Sequence, residues 1–155
     1  MTLMDEIDAN GNVVKSNIVL GMYDKLPFGH QWVPHTPTLQ EAQTTMITQI
    51  ELWRDAACQA DVSTTVGGTV YPWQADKRSQ ELLNSVLAMA SNGIPCPTVW
   101  RSSNNINVAV TQADLVGIAA AMAASTQAAY ARSWVLKAQA LQQGATIDSV
   151  NAITW

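Results

Sequence analysis

Charged side chains are scarce in this sequence. Only 13% of the 155 residues are Asp, Glu, Lys or Arg, whereas 48% are hydrophobic. The surface must therefore be covered largely by small polar residues and alanine, which is more typical of contact with other subunits than of a free monomer. The net charge is −4, and the basic residues are scattered singly apart from Lys77-Arg78. We therefore expect no nucleic-acid partner, because neutralising phosphates requires a clustered basic patch.

Long apolar runs are also absent. The sequence has no hydrophobic stretch approaching the about eighteen residues that a membrane-spanning helix needs, so no membrane insertion is expected. The first residues, Met1 to Gly11, are acidic and do not show the basic segment and apolar core of a secretory signal peptide. We therefore expect the chain to be made and kept in a cytoplasm.

Cysteine and histidine are too few, and too poorly spaced, to predict a metal centre. Cys58 and Cys96 lie far apart with no CxxC pair, whereas structural zinc sites use four ligands in close pairs. A disulfide cannot be read from the sequence, and we predict that both cysteines are small buried hydrophobes. His30 and His35, with Asp24 nearby, match no rigid metal template. We expect them to be solvated or packed, and we expect no metal or other cofactor.

No catalytic set stands out. Asp55 and Asp61 flank the end of the first predicted helix, but no histidine or serine nucleophile motif accompanies them, and Arg54 beside Asp55 indicates an ion pair or a cap. Gly67-Gly68 is not a phosphate loop, because no Lys-Ser or Lys-Thr follows it. We therefore expect no catalytic residues and no enzyme. A hydrolase using two carboxylates, drawn from Asp55, Asp61 and Asp76, is a remote alternative.

The stretch Val62 to Asn84 holds the clearest local pattern. Two β-branched runs flank Gly67-Gly68, a pair suited to a two-residue hairpin turn. In that register Val62 faces Trp73, Thr64 faces Tyr71, and the apolar members share one face. Pro72 is expected to end the pairing because it lacks an N–H, and Asp76 is expected to cap the helix that follows.

Residues 1–37 differ from the rest and are predicted as an extended N-terminal arm. Asn10-Gly11 is a strong turn signal, so the flanking residues are expected to pair as a short hairpin. Tyr23, Phe28 and Trp32 stand among prolines and glycines in a segment with little core of its own. Such aromatic residues are candidates for docking on a partner. The alternative, which we hold about equally, is that they pack back on this chain's own domain.

Residues 38–155 are predicted as one compact α+β domain with the order helix, β-hairpin, helix, β-hairpin, long helix. The helices are expected at 38–59, 76–92 and 111–143, with capping boxes at Thr38 and Thr111 and a short capped turn after Thr146. The second hairpin is expected around residues 99–110, with Ile106, Val108 and Val110 pointing inward. One tryptophan from each of four elements is expected in a shared core, with its indole N–H bonded to a backbone carbonyl: Trp53, Trp73, Trp100 and Trp134.

Together these marks resemble an uncharacterised domain family of tailed bacteriophages, found in tail fibre proteins and in small proteins encoded beside them. The resemblance covers roughly residues 38–143. It rests on Trp53-Arg54-Asp55, Gly68, Tyr71, Gln74, Asp76, Ser79, Trp100, Asn104-Asn105, Thr111 and Leu115. We take Gly67, Gly68, Tyr71, Trp73, Asp76 and Trp100 as its structural signature. The N-terminal arm is similar to the start of tail fibre assembly and tail accessory proteins.

The resemblance implies a setting rather than a reaction. It implies a structural component of a phage tail tip, baseplate or tail fibre, made in the bacterial host cytoplasm and located in the virion. The expected partners are other tail proteins, such as a fibre or baseplate protein, together with copies of the chain itself in a homo-oligomer. The alternative is a tail fibre assembly chaperone that binds the fibre while it folds or trimerises.

Overall fold

The structure is a computed structural model that describes residues 3–20 and 25–155. Seven strands and four helices follow one another within these residues. In chain order they are β1 (Leu3–Ile7), β2 (Val13–Val19), β3 (Gln31–Pro34), α1 (Leu39–Cys58), β4 (Val62–Val66), β5 (Thr69–Trp73), α2 (Lys77–Ser91), β6 (Val99–Arg101), β7 (Asn107–Ala109), α3 (Gln112–Ala140) and α4 (Ile147–Asn151). The predicted α+β class is confirmed. No helix in the described part of the chain is long and apolar enough to cross a membrane.

The chain divides into two compact units, residues 1–42 and 43–155. The boundary lies in the first turn of α1, a few residues after the predicted one at 37/38. The helix begins where expected, because Thr38 Oγ1 accepts the backbone N–H of Glu41 while the Glu41 carboxylate accepts that of Thr38. This reciprocal pair satisfies two of the donors that every helix start leaves open.

The N-terminal unit folds further than the predicted extended arm. Its strands form an antiparallel sheet in the order β2-β1-β3. The expected hairpin between β1 and β2 is confirmed, with Gly11 at a positive φ of 83° in its turn. Strand β3 was not predicted, because four residues that end in a proline carry too little alternation to indicate a strand. It is held by pairing with β1.

The hairpin of β4 and β5 has the predicted register, with Val66 opposite Thr69, Thr64 opposite Tyr71 and Val62 opposite Trp73. Both turn glycines take positive φ, 56° at Gly67 and 81° at Gly68, the combination that a type I′ turn requires. The expectation that Pro72 ends the pairing is wrong. Pro72 stays in register opposite Ser63, and its carbonyl accepts the backbone N–H of Ser103 at 2.9 Å. A two-stranded sheet tolerates this proline because both of its strands are edges.

The larger unit has two hydrophobic cores. The first joins both hairpins to α2 and the first half of α3, and its buried members are Val62, Val66, Trp73, Ala75, Leu83, Val108, Val110, Leu115, Ile118 and Met122. The second joins α1 to the end of α3 and the C-terminus through Ile50, Leu136, Ala140 and Ile153. Helix α3 therefore lines both cores with one face and fixes the separation between them.

The predicted single tryptophan core is wrong. Trp73 is buried in the first core and Trp100 packs partly against it, whereas Trp53 packs against the second core beside Trp155, with ring centroids 6.5 Å apart. Trp134 is 66% exposed on the outer side of α3. The predicted partner of the indole N–H is also wrong for Trp73, because that group donates to the Thr64 hydroxyl at 2.8 Å rather than to a carbonyl.

Local boundary signals were accurate, but some burial expectations were not. Asp76 caps α2, and Thr111 with Asp114 forms the predicted capping box of α3. Thr146 caps α4 in the same way. Ile106, predicted to face inward, is exposed because β7 begins only at the next residue. A helix cap depends on residues that are close in sequence, whereas the burial of a side chain depends on which other elements pack over it.

Candidate functional site

The turn between β1 and β2 is held by one carboxylate. Asp8 accepts the backbone N–H groups of Asn10 and Asn12 at 2.8 and 2.9 Å, and the side-chain amide of Asn12 donates to its second oxygen at 3.1 Å. The bonds from Asn12, followed by that from Asn10, lower the pKa of Asp8 below its usual value despite some burial. An ionised aspartate therefore stiffens this end of the sheet.

A second turn, at residues 27–30, lies against the first. The backbone N–H of His30 donates to the Pro27 carbonyl at 3.1 Å, and Gly29 has a φ of 83°. A Cβ placed on Gly29 would lie 3.5 Å from the Cβ of Ala9 in the neighbouring turn. Phe28, between these residues, is fully exposed, with a relative accessibility of 107%. The backbone around this phenylalanine is therefore held by a hydrogen bond and by the neighbouring turn, while its ring is open to solvent.

The Phe28 turn is tied to the sheet by a buried glutamate. Glu6 is 2% exposed, and its carboxylate lies 2.7 Å from His30 Nδ1 and 3.3 Å from Lys15 Nζ. The hydrogen bond with His30 and the interaction with Lys15 outweigh burial and lower the pKa of Glu6. A carboxylate this deeply buried is stable only when it is paired, so His30 and Lys15 have a structural task here.

The neighbouring residue, Asp5, builds a similar cluster with different partners. Its carboxylate lies 2.7 Å from His35 Nδ1 and accepts from the Ser16 hydroxyl and the Asn17 N–H, both at 2.9 Å. Burial alone would raise the pKa of Asp5, but the hydrogen bonds from Asn17, Ser16 and His35 outweigh it, so the pKa is lowered. The second ring nitrogen of His35 lies 3.2 Å from the Glu41 carboxylate.

His35 therefore lies between two carboxylates, which favour its protonated form. Its hydrogen bond to Asp5 raises its pKa more than burial lowers it, and the charges of Asp5 and Glu41 add to the rise. On the other side, the Thr38 backbone N–H and hydroxyl are the main causes that lower the pKa of Glu41. The ring of His35 thus links β1 to the first turn of α1 within the N-terminal unit.

These clusters do not have the geometry of a nucleophile triad or of a metal site. Ser16 Oγ lies 3.2 Å from Nδ1 of His35, the nitrogen that also faces Asp5, whereas a catalytic base uses the opposite ring nitrogen for its nucleophile. His30 and His35 engage different carboxylates on adjacent residues of β1, which point to opposite faces of a sheet. Within residues 3–20 and 25–155, no group of three His, Cys, Asp or Glu side chains could hold a metal ion.

The three predicted docking residues differ in whether they are described and in how exposed they are. Tyr23 lies outside the described residues. Trp32 is half-buried on β3, where it pairs with Glu6 across the sheet, and β3 is an edge strand. Phe28 alone is fully exposed. We call Phe28 together with the edge strand β3 the Phe28 surface, and it is the candidate interaction site of the N-terminal unit.

The remaining predicted carboxylates have separate places. Asp55 pairs with Arg54 at 2.7 Å, as predicted, and Arg54 also lies 5.0 Å above the ring of Tyr130. Asp76 is occupied as the cap of α2, where hydrogen bonds from Ser79 and Arg78 lower its pKa. Asp61 is exposed just before β4. Asp55 thus serves an ion pair and Asp76 a helix cap.

The two cysteines are free thiols and are partly buried, less deeply than predicted. Cys96 packs against the first core. Burial is the largest influence on Cys58 and raises the pKa of its thiol, which favours the protonated form.

The predicted signature residues build the joint between the first hairpin and α2. The rings of Tyr71 and Trp73 pack at a tilt of 52° with their centroids 6.0 Å apart, and the hydroxyl of Ser79 donates to Asp76 at 2.6 Å. A groove of about 290 Å³ opens beside this joint, and it was missed from the sequence. Its lining residues are Gln74, Ser79, Leu82, Val99, Trp100 and Arg101. The sequence offered one signal for this groove, because Gln74, Ser79 and Trp100 all belong to the motif that carries the family resemblance.

The arrangement of the larger unit defines a class of protein: an α+β domain in which two short hairpins and a capped helix pack on one long helix. Residues 41–154 match a family model described as a domain of unknown function, DUF4376. The match covers most of the chain, so the chain belongs to this family. No curated protein and no solved structure matched it.

Proposed function

We propose that this chain is a structural component of a bacteriophage tail, located in the tail tip, baseplate or tail fibre, and that it acts by protein–protein assembly. The Phe28 surface is the docking site in this proposal, and a fibre or baseplate protein is the partner. The resemblance of the sequence to phage tail proteins supplies the setting. The low content of charge supports an assembly role over that of a free monomer.

The observation that carries the proposal is the complete exposure of Phe28 on a fixed turn. Burying a phenylalanine side chain contributes about 1.5–3 kcal/mol, so an unpartnered ring leaves that free energy available for association. The turn is already ordered by His30, Glu6 and the adjoining Asp8 turn. A partner would therefore lose little of the binding free energy to ordering the loop, which is a property of interface anchor residues.

The test is to make phage carrying Phe28→Ser and measure the composition of purified virions by mass spectrometry. Val70→Ser is the matched control, because Val70 is also an exposed apolar residue but lies on β5 of the larger unit. We expect the control to be incorporated like the wild type and Phe28→Ser to be depleted. Circular dichroism of both purified variants should show unchanged folding.

One outcome would count against the structural role, and another against the docking site. If purified virions lack even the wild-type chain, the structural role is excluded. A soluble fibre trimer that forms only when this chain is co-expressed would then support the assembly chaperone. Equal incorporation of the two variants would exclude the Phe28 surface as the docking site.

A further inference from the structure

Helix α3 has a long uncharged, largely apolar run, although only one face of the helix is covered. From Leu115 to Ala131 it contains no charged residue. Its covered face packs on both cores of the larger unit. A helix that is hydrophobic on all sides is normally buried on all sides, so the outer face of α3 is unusual for a surface helix.

The outer face carries a continuous line of exposed residues at steps of three and four. We call this line the α3 stripe, and its members are Val116, Ala120, Ala123, Gln127, Tyr130 and Trp134. All six are exposed. This spacing is that of a helix–helix contact with a period of 3.5 residues. The ring of Trp134 is held edge-on to that of Tyr130, with centroids 6.3 Å apart.

The members of the α3 stripe are placed symmetrically about Ser125, but the side chains on its two sides differ in size. Its three larger side chains, Gln127, Tyr130 and Trp134, lie two, five and nine residues after Ser125. The three smaller members lie at the same distances before it. When two copies of α3 cross antiparallel at the level of Ser125, each large side chain therefore faces a small one. A parallel pair would instead place tryptophan against tryptophan and alanine against alanine.

We propose that the α3 stripe is the interface of a homodimer in which two copies of the chain pack their α3 helices antiparallel about a two-fold axis. A second copy fits this surface because each large side chain of the stripe faces a small one in the other copy. The charged group that touches the stripe, Arg54 over the ring of Tyr130, is paired with Asp55 at 2.7 Å and so adds no unpaired charge. The proposal rests on α3 alone, so it can fail while the role assigned to the Phe28 surface stands, and the reverse also holds.

The dimensions of α3 indicate a reversible dimer. The α3 stripe spans 19 residues, from Val116 to Trp134, or about 28 Å, so a contact strip about 10 Å wide covers roughly 280 Å² on each copy. The total of roughly 560 Å² is about half of the roughly 1,200 Å² of stable specific interfaces, so a weak, transient dimer is expected. The dimer should therefore dissociate on dilution, with a dissociation constant of roughly micromolar or weaker.

The first test is sedimentation velocity of the full chain over a concentration series. We expect the mass to rise from monomer to dimer with concentration. Trp134→Glu should weaken the dimer roughly 30-fold or more, as loss of an interface anchor does. Val70→Glu, a matched exposed apolar residue on the first hairpin, should leave it unchanged. A monomer at every concentration up to about 1 mM, or a dimer insensitive to Trp134→Glu, overturns the proposal.

The second test reads the direction of the helices. Ala123→Cys and Gln127→Cys are each introduced into a chain whose native cysteines are replaced by alanine, and the variants are oxidised alone and as a mixture. An antiparallel pair places residue 123 of one copy opposite residue 127 of the other, so the mixture should give covalent dimers several-fold in excess of either variant alone. Crosslinking of each variant alone, with no gain on mixing, overturns the antiparallel arrangement.

Discussion

The hydrogen bond between Trp73 and Thr64 allows a sharp test of how the first hairpin is held. Trp73 is 1% exposed, and its indole N–H has the Thr64 hydroxyl as its partner at 2.8 Å. Thr64→Val keeps the shape of the side chain but removes the acceptor. A buried donor left without a partner costs about 1–3 kcal/mol. We therefore expect the free energy of unfolding to fall by this amount.

For a chain of this size, that loss lowers the melting temperature by about 2–12 °C. The assay is urea and thermal unfolding followed by far-ultraviolet circular dichroism, which avoids the fluorescence of the altered tryptophan environment. Thr65→Val is the matched control, because Thr65 is the next residue on the same strand but is exposed. Its effect should stay within about 0.5 kcal/mol.

A double-mutant cycle separates the hydrogen bond from packing. Trp73→Phe removes the indole N–H as well as part of the ring, so adding Thr64→Val to it should cost little more. The coupling between the two positions is expected at about 0.5–3 kcal/mol. If Thr64→Val proves no more damaging than Thr65→Val, or if the cycle shows no coupling, the buried hydrogen bond is not what holds this hairpin and the reasoning is refuted.

Two further predictions concern ionised groups that the fold depends on. Because the folded pKa of His35 is raised above 6.5, its contribution to the N-terminal unit is complete below about pH 6.5 and is lost as pH rises through the folded value. The protection factors of the β1 and β2 amides, which correct hydrogen exchange for its intrinsic base-catalysed rate, should therefore fall above that value, and His35→Gln should remove this fall; the same fall in the variant would contradict the assignment. Asp76→Ala should destabilise the larger unit by about 0.5–2 kcal/mol through loss of the α2 cap, whereas Asp76→Asn, which keeps the acceptor, should cost less in urea unfolding at neutral pH; equal losses would argue against the cap.

Much of the fold was predictable because its signals are local. The capping residues Thr38, Asp76 and Thr111 mark helix starts through bonds that span three residues of chain. Gly67-Gly68 marks the register of its hairpin for a similar reason, because both glycines adopt the positive φ angles that its turn needs. Such interactions depend on sequence neighbours, and the larger unit accordingly has the predicted order of elements.

The candidate site was less predictable. Phe28 was correctly singled out as an aromatic residue without an obvious core, but the sequence could not show that it alone among the described candidates would be fully exposed. Nor did the sequence indicate that the adjacent acidic residues Asp5 and Glu6 would be buried. Asp5 contacts His35, 30 residues further along the chain, and Glu6 contacts His30, 24 residues further along. Pairs between side chains that are distant in sequence produce no periodic pattern from which they could be predicted.

The sequence by itself determined where the helices begin and which residues pair across the Gly67-Gly68 hairpin, and that this chain is poor in charge. Only the tertiary structure decided which apolar residues are covered. Trp73 and Trp134 are the same residue type, and both were expected inside, yet one is buried beneath a hairpin and the other is exposed on α3. The physical reason is that burial is set by the surface a side chain faces after packing, and α3 turns only one of its apolar faces toward the cores of the larger unit.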